Sequence, residues 1–502
     1  MLAGIDYFIV IAYIIGMLLL GLYFKKFVHN SDDYFIGGKS LPFWAIGMSI
    51  VVSDIGALDF VGVSGQAYRY GISVGNFDWV GSVPAMLLAA FIFIPYFWRG
   101  GMYTIPEYLG RRYNKSVRTI ASVTWILFFA LDLGVLFWAS AVLLNVLMGW
   151  PIWVSILSTA GVVGLYTYFG GITAVIMTDV VQMIIMFTGG FALVFLSLDA
   201  VGGWENMVEK ISTMGPEYRS HFDIIQPSDT KSPFPWTGIL FGLTFVMANA
   251  YMIGNQAIVQ RCLTAKNEWH AKASMVFGSA LKMFIPILVL FPGLMAVVVH
   301  PGLADGDQAL PLMIKSILPP GLVGLMFAAF FAGLMSSVDS LLNSTATLFT
   351  KDIYQPYFNK NADDKHYLKV GQITTLVILG FGVATSPISS DFPGIYVAIQ
   401  TFMSYFQGPL FAILVLGIFW KRTTQWGGLS ALVIGILFAI FLNVFKTQFF
   451  TIEDPFLYIS WWSFVVGFIV NVLVSLMTKK HSESQLEGLV FSAKILTKNE
   501  KL

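Results

Sequence analysis

Apolar residues arrive along this chain in long runs, neither alternating nor confined to one face at helical spacing. A helix needs about 20 mostly apolar residues to cross a hydrocarbon core. Thirteen runs qualify, near 5–25, 42–68, 74–97, 117–146, 151–170, 175–199, 235–257, 272–300, 320–350, 368–387, 394–419, 426–444 and 457–477. Several are interrupted by Gly or by an acid. The longest connection, about 200–234, carries Pro216, Pro227 and Pro233 and reads as a lid or cap. Beyond 478 the chain turns polar with scattered Lys, as expected of a cytoplasmic helix or a disordered tail over 479–502.

Composition changes the solvent. The 502 residues are 57% hydrophobic and 11% charged, against roughly a quarter charged in soluble domains. No soluble fold hides so much apolar surface, because surface grows too fast with size. The expectation is an all-α polytopic protein of the plasma membrane, or of the inner membrane in a bacterium. The first run has no basic residue before it and no small-residue cleavage site after it, so it reads as a retained helix. A net charge of +1 gives no reason to expect nucleic acid. The single Cys262, near a helix end, excludes a disulfide framework and reads as an inert thiol.

Lys and Arg set the orientation. With the N-terminus outside, twenty-two of the 29 basic residues fall in inner segments, six fall outside, and Lys282 alone sits within a span. Thirteen helices, N-out and C-in, follow.

An ionisable group at mid-membrane costs roughly 2.5–3.5 kcal/mol even on the lenient insertion scale. Six acids qualify: Asp54, Asp59, Asp78, Asp132, Asp179 and Asp339, opposed by Lys282 alone. Such a surplus calls for bound cations, a cationic solute or shared protons. Structural pairing is the ordinary alternative for each acid. Ser49 to Asp59 interrupts one run with hydroxyls, carboxylates and Gly56. A helix opened there would turn freed carbonyls toward a cavity, where alone irregular backbone is tolerated at that depth. Ser336, Ser337, Asp339 and Ser340 place hydroxyls and a carboxylate on adjoining turns, hard oxygens suited to an alkali cation. Small residues also let helices pack closely.

Enzyme classes fare poorly. All six histidines fall in loops or at span ends, which argues against an intramembrane haem or copper centre. No HExxH, GxSxG or Walker pattern occurs, and no kinase domain follows that would make the chain a sensor. A passive channel is opposed by the lack of a repeated filter sequence and by the many distinct polar residues inside.

The motifs then resemble a known family. Asp33-Tyr34-Phe35 with Gly38 to Pro42, Tyr103 to Tyr108, Gly170 to Val175 with Thr178-Asp179 and Gln182, Asn255-Gln256 with Gln260-Arg261, Asn343 to Thr350 with Asp352 to Tyr354, and Gly417 to Lys421 are similar in order and content to the sodium:solute symporter family. The sodium–sugar (glucose/galactose) cotransporter branch is the most similar. The resemblance implies a leucine-transporter-type fold: a preceding helix (1–30), a core (31–425) of two inverted five-helix repeats at about 42–200 and 235–419, and two additional helices over 426–478. The first helix of each repeat is broken at mid-membrane, here at Asp54–Ala57 and around Ala248–Gly254.

Carried over by resemblance, one sodium is held by Val52, Ile55, Gly333, Ser336 and Ser337. A possible second sodium takes Asp179, Asp339 and Ser340, unless Asp339 pairs with Lys282. Solute contacts map to Asp54, Asp59, Phe77, Asp78, Gly81, Ala248, Tyr251, Lys282, Tyr396 and Gln400, with Tyr251 stacking from inside and Phe77 and Tyr396 closing from outside. The sugar branch commonly has amides at the positions of Asp54 and Asp59, so an amine-bearing solute or amino acid stays open beside a sugar or polyol. The expected partners are sodium (one or two ions), a small polar solute and lipid, with no organic cofactor, in a chain that works as a monomer.

Overall fold

The computed structural model describes residues 3–25, 37–56, 58–392 and 394–491, apart from the side chains of 22, 25 and 165–171. The Asp33-Tyr34-Phe35 motif, Ala57 in the expected break, and 492–502 of the tail lie outside the described residues. Almost all the rest is helix, and the only β-pairing among described residues is two single bridges, Leu41 with Ala265 and Gln226 with Pro235. Every expected run falls on helix. Nine helices among the described residues are long and apolar enough to span a membrane, and eleven if each of two bent pairs counts as one crossing. The helices Phe43–Asp54 and Ile152–Gly164 are apolar but shorter.

Differences from the expected spans have local causes. The runs at 42–68 and 74–97 meet at Gly71, whose φ of 76° suits glycine, and a side chain there would strike the backbone of His221. Ile72 donates to the His221 carbonyl at 2.7 Å, and Asn76 donates to that of Ile224 at 2.7 Å. The connection 200–234 is thereby clasped onto this turn. The runs at 151–170 and 175–199 share one helical assignment, Ile152–Ala200, and their boundary falls where side chains are not described. The run at 394–419 bends by 44° between Ile395–Ser404 and Gln407–Phe419.

The organising element is the 26-residue helix Leu322–Thr347, buried along nearly its whole length. It packs against Ile152–Ala200, Phe43–Asp54 and Lys115–Met148. Such burial leaves it no lipid-facing stripe, so its polar residues must find partners inside the protein. The tail does not hang free over its described part: Phe491 donates to the Ile418 carbonyl at 2.8 Å, and Tyr96 and Tyr108 donate to the carbonyls of Gly488 and Leu489.

Candidate functional site

The first break falls where the sequence places it. Helix Phe43–Asp54 ends at Ile55 (φ −108°, ψ 84°), and helical structure resumes at Leu58. The last carbonyls of a helix lack intrahelical donors and carry partial negative charge, which favours a cation. Asp59 serves the opposite end, accepting from the Gly56 amide at 3.1 Å as an acid at a helix start should. The second break comes at Asn255, one residue past the expected stretch, because Ala248–Gly254 keeps its helical bonds. There the Asn255 side chain accepts from Ala257 N at 2.8 Å and starts Gln256–Leu263, bent by 49° from the half before it.

The first break lies against Leu322–Thr347. Ser337 donates to the Ser53 carbonyl at 2.9 Å, and the hydroxyls of Ser53 and Ser336 are 2.7 Å apart. A β-carbon on Gly333 would come within 2.8 Å of the Ile55 carbonyl oxygen. Val52 is fully buried in the last turn of Phe43–Asp54. The five residues offered to the first sodium therefore belong to one interface, built from carbonyls and hydroxyls.

Asp179 and Ser340 also come together, but around a group the sequence reading left at an inner helix end. Arg261, fully buried, donates to Ser49 and Ser53 at 2.7 Å each, to Ser340, and to Asp179 at 3.4 Å. Ser49 donates to Asp179 at 2.5 Å. Lys282 is thus not the sole buried cation. The clue was present in the i, i+4 spacing of Ser49 and Ser53, which puts both hydroxyls on one helix face. Asp339 is fully buried on the same long helix, but Lys282 pairs elsewhere.

Nine of the ten residues assigned to the solute line one cavity of about 100 Å³ between the two broken helices; Gly81 does not, because it lies against Leu243 and Ala248. Lys282 bridges Asp54 and Asp78, the latter at 2.6 Å, and donates to Ser82 at 3.2 Å. Ser82 and Gln407 also line this space and were not foreseen. Three carboxyl groups and one ammonium line this space, and two of the three, Asp54 and Asp78, pair with it. On the other side Phe77 meets Tyr396 edge to face at 5.2 Å, and Phe77 also meets Phe234, which ends the clasped connection 200–234. The rings close the cavity toward that loop.

The remaining motifs build a polar lock on the opposite side. Gln256 donates to the Tyr103 carbonyl at 2.9 Å and to Gln260 at 3.2 Å, and Gln260 donates to Asn343 at 3.0 Å and Thr347 at 3.1 Å. Thr104 and Arg118 both donate to Asp352. Short motifs far apart in sequence are therefore one network joining the second broken helix to Leu322–Thr347.

Comparison with known proteins agrees with this geometry. The chain is 33% identical over 492 residues to a sodium/glucose cotransporter of Vibrio parahaemolyticus, covering 94% of this chain and 89% of that one. It is 29% identical over 544 residues to a human sodium/myo-inositol cotransporter, covering 97% and 75%. In structure it is similar to a sodium-coupled sialic acid symporter, with a TM-score of 0.82 at 24% identity over 96% of this chain and 99% of that one. The nucleobase-cation-symport transporter Mhp1 follows at a TM-score of 0.57, 13% identity and coverages of 91% and 97%. The fold is of the leucine-transporter type, a multi-pass helical membrane protein. A profile of one family matches residues 34–435, and the chain belongs to that family, the sodium:solute symporters.

Proposed function

We propose that this chain moves a sugar or polyol with sodium by alternating access, N-terminus outside, with the two repeats rocking about the cavity. The observation that carries the reading is the convergence of Asp54, Asp59, Phe77, Asp78, Tyr251, Lys282, Tyr396 and Gln400 on one space between two broken helices. Sodium would be held by the carbonyls of Val52, Ile55 and Gly333 and the hydroxyls of Ser336 and Ser337. An ion shifts a conformational equilibrium only if it binds one state better. One that bridges Phe43–Asp54 to Leu322–Thr347 does so when those helices part in the other state. A membrane potential supplies about 2.3 kcal/mol per charge per 100 mV, roughly fifty-fold accumulation for each sodium. The set Asp179, Asp339 and Ser340, which the resemblance offers to a second sodium, already has the Arg261 charge beside it.

Carboxylates only accept hydrogen bonds, so this pocket suits donor-rich solutes and disfavours monocarboxylates. Three carboxyl groups against one ammonium also favour a second reading, an amine-bearing solute or amino acid. The deciding experiment is uptake into proteoliposomes of labelled sugars, polyols, amines, amino acids and monocarboxylates, with and without a sodium gradient. Sodium-driven, saturable uptake of a sugar or polyol, lost in Ser337→Ala, supports the proposal. Uptake indifferent to sodium, or strong transport of a monocarboxylate, overturns it.

A further inference from the structure

Gln407 opens the helix Gln407–Phe419, just past the 44° bend that separates it from Ile395–Ser404. Phe406 before it leaves helical geometry, with φ −130° and ψ −20°. Gly408 beside it is pressed onto the Ser460 carbonyl of helix Phe456–Met477, and Gln407 stands in the wall of the solute cavity. A second cavity of about 10 Å³ lies on its other side, against Leu109, Trp125, Leu410, Phe411 and Leu414. Gln407 lines both.

The residue is 1% exposed, and neither Oε1 nor Nε2 makes a hydrogen bond among the described residues. A buried carboxamide without partners bears the desolvation of its donors and its acceptor unrepaid. The smaller cavity cannot repay it, being about one water-sized sphere in volume, with its other walls aliphatic, aromatic or glycine. The solute cavity is the side that remains. There the Lys282 ammonium already reaches Asp54, Asp78 and Ser82, and carboxylates only accept. The Gln407 NH2 is therefore a donor still open to a solute oxygen, with an acceptor beside it.

We propose that Gln407 grips the solute through one acceptor and one donor at once, a pair of neighbouring hydroxyls on a sugar or polyol. A simple amine in its charged form only donates, so it leaves Nε2 unmet. A site with a buried polar group discriminates strongly against a solute that cannot pair with it. Gln407 thereby selects a hydroxylated solute over a simple amine. The inference rests on the sugar-or-polyol reading above and names the group that enforces it.

Uptake into proteoliposomes under a sodium gradient tests this, beside melting curves in detergent. The probes are D-glucose, D-sorbitol and myo-inositol, the monodeoxy analogues of whichever is carried best, and ethanolamine. The wild type should prefer a hydroxylated probe to ethanolamine and lose about tenfold in affinity for at least one deoxy analogue, roughly 1.4 kcal/mol. Gln407→Leu removes both unpaired groups at similar volume, so without solute it should melt no lower than the wild type. Its half-saturation for the parent probe should rise about tenfold, while the penalty for that same analogue shrinks below about twofold. Its sodium half-saturation should stay. An unchanged solute half-saturation in Gln407→Leu overturns the assignment. Equal losses for the parent and every analogue also overturn it, since they mark a residue that only shapes the fold. So does a wild type that prefers ethanolamine to all three hydroxylated probes. Failure of the transport reading is distinct, since the wild type would then accumulate none of the probes with sodium.

Discussion

Gly333 and the carbonyl of Ile55 stand so close that a single added methyl group would come within 2.8 Å of the oxygen. The helix break and the long buried helix are fitted to each other at this point, where the proposed sodium site has a carbonyl. Gly333→Ala must push the two apart, displacing the Ile55 oxygen. We expect the half-saturating sodium concentration for uptake to rise at least about tenfold, a change of roughly 1.4 kcal/mol. Initial rates against sodium concentration would measure it, and an unchanged half-saturation would remove Gly333 and Ile55 from the ion site.

Arg261 gives a prediction about stability. Its guanidinium serves four side chains on three other helices, and removing one partner of a buried ion pair costs about 3–5 kcal/mol. Arg261→Ala should lower the melting temperature sharply in detergent. Arg261→Lys should not restore it, since an ammonium lacks the planar fork. Adding Asp179→Asn to Arg261→Gln should recover part of the loss, because no buried charge is then left alone. Strictly additive losses in that double variant would show that the two residues are not coupled.

The aromatic closure predicts a kinetic effect. The Phe77–Tyr396 contact at 5.2 Å is an edge-to-face pair of a type worth about 0.5–1.5 kcal/mol beyond its buried area. Phe77→Ala should weaken solute affinity by about two- to tenfold with little change in sodium dependence. Competition binding and sodium titrations on the same preparation separate the two effects. A matching shift in sodium half-saturation would place Phe77 in the coupling machinery instead.

Asp307 sits on the turn Gly306–Gln308 between helices and accepts from the amide of Ile395, the first residue of the helix that carries Tyr396 and Gln400. Burial pushes its carboxyl up to about 7, with Asp305 adding to the rise and the Ile395 amide and Arg69 opposing it. A carboxyl whose folded pKa is raised contributes stability that is full below the unfolded value and fades as pH climbs through the folded one. The wild type should therefore lose stability relative to Asp307→Asn between about pH 4 and pH 7, where the ordinary and raised values lie. Above pH 7 Asp307→Asn should melt higher, and near pH 4 the two should coincide. Parallel melting curves across that range would show that Asp307 carries no such titration.

The hydrophobic runs determined by themselves that the chain is helical and lies in a membrane, because hydrocarbon admits little else. The break at Ile55 was legible for a related reason: hydroxyls, carboxylates and a glycine inside an apolar run have no satisfactory place in an unbroken span. Lys282 and the acids were conspicuous for their cost in lipid. Their pairing was not, since Asp54, Asp78 and Lys282 lie on three separate segments and nothing local says which acid an ammonium will reach. Arg261 was hidden by its position, for a cation at the end of an apolar run reads as an inner-surface charge until the fold closes serines over it. That Asp132 is buried and makes no hydrogen bond or ion pair among the described residues is likewise visible only once the helices are packed. Hydrophobic period is a local property and survives in one dimension. Charge pairing and cavity lining depend on distances between residues hundreds of positions apart, and only the packed helices fix those distances.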